Sequence, residues 1–99
     1  MFLHKPLWRK PETLENWRKV ELLLADRQYT VFAGHRHIYS KSMRNNRPYY
    51  ILATTGADEP AGLDECEFDH IVWVTMTDDG PIMANLLLEG ILDDEPCPQ

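Results

Sequence analysis

Apolar and polar positions alternate along this chain in two different rhythms, and the change of rhythm divides it. From Pro11 to Arg27 the apolar residues Leu14, Trp17, Val20 and Leu24, with Leu23 beside them, recur at helical spacing. Arg18, Lys19, Glu21 and Asp26 are expected on the opposite, solvated side. Pro11 suits a first turn, and Glu12 and Glu15 sit at the positive end of the helix dipole. The stripe predicts one core-facing amphipathic helix.

Strand patterns surround it. Met1-Phe2-Leu3 reads as the end of a short apolar strand, and Pro6 turns the following Lys5-Pro6-Leu7-Trp8 into a loop. Tyr29 to Ala33 is β-branched and aromatic, which predicts a strand ending at Gly34. Helix, apolar strand and glycine loop form half of a βαβ layer, in which ligands collect at the C-terminal strand ends. Ile38 to Met43 and Pro48 to Thr54 predict a hairpin around Arg44-Asn45-Asn46-Arg47. Phe68 to Met76 and Ile82 to Leu88 predict a second hairpin around Asp78-Asp79-Gly80-Pro81. The long stretch from Gly56 to Glu67, with Pro60 and Gly62, reads as a loop, and acidic, proline-containing Gly90 to Gln99 is expected to fray. The fold class is therefore α/β, an α+β fragment of one helix and five to six strands, largely antiparallel after residue 38. Residues 1–90 form one partial domain and 91–99 a tail.

Composition narrows the class. The chain has 99 residues, 43% of them hydrophobic and ten aromatic, which is too apolar for disorder. No apolar run is long enough for a membrane span or signal peptide, so the cytoplasm is the default, with an upstream export signal left open. The net charge of −6 conceals a division. All ten Lys and Arg lie between Lys5 and Arg47, and none follows Pro48. The basic residues form no Lys/Arg-rich cluster, so no nucleic acid and no membrane is indicated as a partner. Cys66 and Cys97 lack metal or redox spacing and read as two ordinary thiols, with a disulfide pinning the tail as the alternative.

The chemistry gathers on Gly34-His35-Arg36-His37, with His4 before Lys5-Pro6. Neutral imidazoles are common ligands for zinc, iron and manganese. Gly34 is expected to let the backbone turn at the strand end. A cupin would need a Glu about four residues after its H-x-H, where Lys41 and Ser42 stand instead. Arg36 lies between two candidate ligands and is a candidate phosphate contact, although a solvated loop arginine is the plainer reading. His70, at a strand start, reads as structural.

Phe2 to Trp8 with its H-x-P, the helix, Tyr29 to His37 with its G-H-x-H, and Tyr49 to Gly56 together resemble the calcineurin-like metallophosphoesterases. The resemblance covers almost the whole chain up to Gly90. It implies the C-terminal part of an αββα sandwich that carries two divalent ions, Mn, Fe or Zn, and hydrolyses phosphomonoesters or phosphodiesters. It implies that His4 and His35 bind one ion and His37 the other. The family's D-x-H, G-D-x-x-D and G-N-H-E/D motifs, which supply a bridging Asp, an Asn ligand and a His, are absent from this sequence. The chain is thus expected to be a C-terminal fragment, inactive alone, holding one ion at most and weakly. Its parent's partner would be a phosphate-ester substrate. An apolar seam along Met1–Leu3 and Tyr29–Ala33 is expected to promote self-association. The competing class is a small non-catalytic α/β module that binds a partner, with an incidental or single structural metal site.

Overall fold

The computed structural model describes residues 1–56 and 61–97. Pro60 of the expected long loop, and Pro98 and Gln99 of the expected tail, lie outside the described residues. The fold is mixed α+β, with one helix and two three-stranded sheets that are mostly antiparallel. A single 3-10 turn at Leu7–Arg9 leads into the helix α1, Pro11–Leu23. Sheet 1 has the order β1 (Val31–Ala33), β3 (Arg47–Ile51), β2 (Ser40–Arg44), with β1 and β3 parallel. Sheet 2 is a meander of β4 (Ile71–Thr77), β5 (Gly80–Leu87) and β6 (Gly90–Leu92). No helix among the described residues is long and apolar enough to cross a membrane.

Period-two alternation stacks these elements in three layers. Val31, Ala33, Tyr49 and Ile51 point from sheet 1 toward α1, where they pack with Trp8 and Trp17. The residues between them, Phe32 and Tyr50, point the other way and pack with Met83, Phe68, Val72 and Val74 beneath sheet 2. Sheet 1 is covered on both faces, so β1 is buried at all three positions. The outer face of sheet 2 has no covering layer among the described residues. Trp73, Ile82 and Ile91 lie there at 67%, 63% and 74% exposure.

Several expectations are corrected. The helix ends at Leu23 rather than Arg27, and Leu23 is exposed. Glu21, expected on the solvated side, lies one turn after Trp17 and is buried. Its carboxylate accepts two bonds from Arg44, at 2.9 and 3.0 Å, and a third from the Tyr49 hydroxyl at 2.6 Å. The Arg44 guanidinium holds its pKa below the usual carboxylate value, against the opposing effect of burial. The acid therefore ties α1 to β2 and β3 as an ion. Desolvation offsets much of the attraction in such a pair, so its main effect is to fix the geometry of the contact.

The segment expected to fray is built in. Gly90–Leu92 forms β6, and the Asp94 side chain accepts from Tyr50 Oη and Lys41 Nζ at 2.7 and 2.8 Å. Cys66 and Cys97 are bonded as a disulfide rather than standing as two thiols. The spacing had no motif to show this, because the pair is brought together by the return of β6 toward the Cys66 loop. The expected seam is exposed only in its Met1–Leu3 part. β1 is covered, while Phe2 and Met76 stand 80% and 74% exposed at the open side of the sandwich.

Candidate metal centre

The N-terminal residues extend sheet 1. Phe2 bridges Phe32 in parallel, Leu3 N–H donates to Phe32 O, and Phe32 N–H donates to Met1 O. This segment, β1 and β3 therefore run in one direction and end on one rim. The rim presents His4, then Gly34 to His37, then Thr54 and Thr55. His4, Gly34, Thr54, Thr55 and His70 border a cleft of ≈ 530 Å³ there. This is the position where α/β sheets bind ligands.

Two of the three candidate imidazoles meet. His35 Nδ1 lies 3.1 Å from His4 Nε2, with the rings nearly perpendicular at 79°. Gly34 N–H donates to His4 O at 2.9 Å and locks the two segments together beneath the rings. Both histidines are exposed. The His35 pKa is lowered, first by loss of hydration and then by the positive charges of His4 and Lys5, which favours the neutral ring that a cation requires.

The loop turns in an unexpected way. Gly34 has no positive φ, and a Cβ there would make only ordinary contact with His4 O at 3.8 Å. The left-handed residues are the histidines themselves, His35 at φ 75° and His37 at φ 61°. Arg36 N–H donates to Gly34 O at 2.9 Å, closing a three-residue turn centred on His35. A γ-turn of this hand is rare and strained, and such strain collects at functional sites.

His37 does not join the pair. Among the described residues no group of three or more His, Cys, Asp or Glu converges closely enough to hold a metal. The structure thus assembles His4 with His35 and leaves His37 and Arg36 exposed beside them. Thr54 and Thr55, which read in the sequence only as a strand end, lie on the same rim. No protein-family model, no curated protein and no solved structure matches the chain.

His70 borders the same cleft and has a different character. It is buried, its Nε2 accepts from Ala53 N–H at 3.0 Å, and its Nδ1 faces Asn85 Oδ1 at 2.7 Å. An accepting Nε2 places the ring proton on Nδ1, so Asn85 Oδ1 is the acceptor. Asn85 Nδ2 in turn donates to Asp93 O at 2.7 Å and to Tyr39 Oη at 3.4 Å. Tyr39 is pushed up to about 12, mainly by burial. Every polar atom of His70 is satisfied, which supports its structural reading.

The spacing of the two nitrogens is that of two ligands on one ion. Two imidazole nitrogens that ligate one cation through bonds of about 2.1 Å lie about 3.0–3.4 Å apart, depending on the angle between them. The His4–His35 separation falls in that range. Among the described residues no carboxylate and no third histidine joins them, so the pair is part of a donor set for one ion and not for two.

Proposed function

We propose that this chain is the histidine-bearing part of a metal-dependent phosphoesterase, in which His4 and His35 together hold one divalent ion, Mn, Fe or Zn. The 3.1 Å approach of His35 Nδ1 to His4 Nε2 carries the reading. Two side chains from distant segments converge on the rim of a parallel strand set, and one sits on a backbone turn that costs energy to hold. The three observed layers, helix, sheet and sheet, are consistent with part of an αββα sandwich.

A bound divalent cation supplies Lewis acidity toward a phosphoryl oxygen. The chain's own residues position it. His4 is fixed through its carbonyl by Gly34, and His35 through the turn closed by Arg36. Arg36, exposed on the same loop, is the candidate contact for an incoming phosphate. His37 follows on the same loop and is free to ligate a second ion if carboxylates are brought to it. This chain alone is expected to show trace turnover at most.

The test is a manganese titration followed by water-proton relaxation, with inorganic phosphate as a second ligand. One ion per chain is expected. His4→Ala and His35→Ala should each weaken it by at least about tenfold, and phosphate should bind only when the ion is present. Equal affinity in the doubly substituted chain would overturn the site. The exposed apolar face of Trp73, Ile82 and Ile91 favours a second reading, a non-catalytic partner-binding module. On that reading an ion would raise the melting temperature and recruit no phosphate.

A further inference from the structure

Sheets are prone to join through their edge strands, and proteins guard those edges with charge, brevity or a covering element. Among the described residues the two sheets expose four edges, and three are guarded. β2 carries Lys41 and Arg44, which are engaged by Asp94 and Glu21. The N-terminal segment is a single bridge long. β6 is three residues between Glu89 and Asp93. β4 is unguarded. Its seven residues, Ile-Val-Trp-Val-Thr-Met-Thr, include no charge, glycine or proline, and only β5 pairs with it.

We propose that β4 pairs antiparallel with β4 of a second copy of this chain, about a two-fold axis at Val74. The two three-stranded sheets then become one of six strands. The strand is its own complement in this register. Ile71 opposes Thr77, Val72 opposes Met76, and Trp73 opposes Thr75 of the second copy, each pair on one face of the sheet. No charge falls within the ladder. Val74 and Met76 line the cleft between the sheets together with Phe2, Phe32 and Tyr50. The second copy's strand closes this open side and covers Met76. Such an interface is isologous and stops at two copies.

Pairing is modest in strength. Seven residues give a ladder of about 23 Å, at the small end of specific interfaces. Just beyond the ladder Thr54 of the same chain already bridges Asp69, so the pairing ends at Ile71 opposite Thr77. The inference does not depend on the phosphoesterase reading, and its test involves no metal.

Sedimentation velocity from about 1 µM to 1 mM, a span suited to weak pairing, is expected to show monomer and dimer alone. Amide exchange over residues 72–76 should slow as the dimer fills. Met76→Lys, at an exposed site, should weaken dimerisation at least about tenfold by placing a charge in the edge, with circular dichroism unchanged. Thr75→Lys provides a second exposed variant should Met76→Lys unfold. Ile82→Lys, on the outer face of β5, should leave the dimer intact. Three results would overturn the proposal: a monomer throughout, which leaves the edge for a strand of another protein; growth beyond two copies; or dissociation by Ile82→Lys as strong as by the β4 variants.

Discussion

His35 and His70 border the same end of the molecule and have opposite surroundings. His70 is buried, and each ring nitrogen has a partner of the correct kind, an amide donor on one side and an amide carbonyl on the other. His35 is exposed, sits at a strained φ, and has another imidazole as its close ring partner. Both have lowered pKa values, His70 chiefly through burial. A lowered pKa therefore does not separate structure from function here. The distinguishing feature is what the nitrogen faces. His70 completes a core network that extends to Asn85 and Asp93, whereas the ring nitrogens of His4 and His35 face each other at 3.1 Å on the surface.

The largest expected effect breaks the buried half of this comparison. His70→Ala leaves Ala53 N–H and Asn85 Oδ1 without their partner and opens a cavity, which should cost about 3 kcal/mol in urea unfolding. A loss below about 1 kcal/mol would mean that water replaces the ring without penalty.

The pH dependence sharpens the contrast. His70 lies below its usual 6.5 in the folded chain, so the unfolded chain takes up the proton first as the pH falls. The stability contributed by this group is complete above about pH 6.5 and declines below it, until the folded ring also protonates. The slope approaches about 1.4 kcal/mol per pH unit for a single proton. His35→Gly should retain that decline. If the substitution flattens the curve instead, the decline belongs to His35.

The smallest effect has the opposite sign. Glycine adopts positive φ without steric cost, so His35→Gly should stabilise the fold by about 0.5–1 kcal/mol while abolishing the manganese response. His37→Gly should give a similar gain and leave the first ion in place. A loss of stability in both would show that the loop stores no strain.

Much of this was legible in the chain. Pro11 and the Leu14, Trp17, Val20 spacing fixed the helix start, and Asn45-Asn46 and Asp79-Gly80 marked both hairpins. The resemblance carried by H-x-P and G-H-x-H implied that His4 and His35 share an ion, and the two rings do lie 3.1 Å apart, while His37 does not join them. What remained hidden depends on three-dimensional return. Glu21 looked solvated because its charge outweighed its position one turn after Trp17, and only Arg44 and Tyr49 from sheet 1 make its burial tolerable. The acidic end of the chain looked loose because its partners, Lys41, Tyr50 and Cys66, lie more than thirty residues away. The positive φ values at His35 and His37 contradict the usual assignment of such conformations to glycine, and Gly34 beside them drew the expectation one residue astray.

The disulfide has a mechanical consequence. Cys66 and Cys97 enclose all three strands of sheet 2 in one covalent loop with a sequence separation of 31. Tension applied between the N-terminus and a point beyond Cys97 runs through sheet 1 and then across the sulfur–sulfur bond, so sheet 2 carries almost none of it. Extension in the oxidised chain should stop roughly 105 Å short of the full contour, from about 3.4 Å per residue. A reductant would release that hidden length only after the bond opens, and sheet 2 would then bear load for the first time.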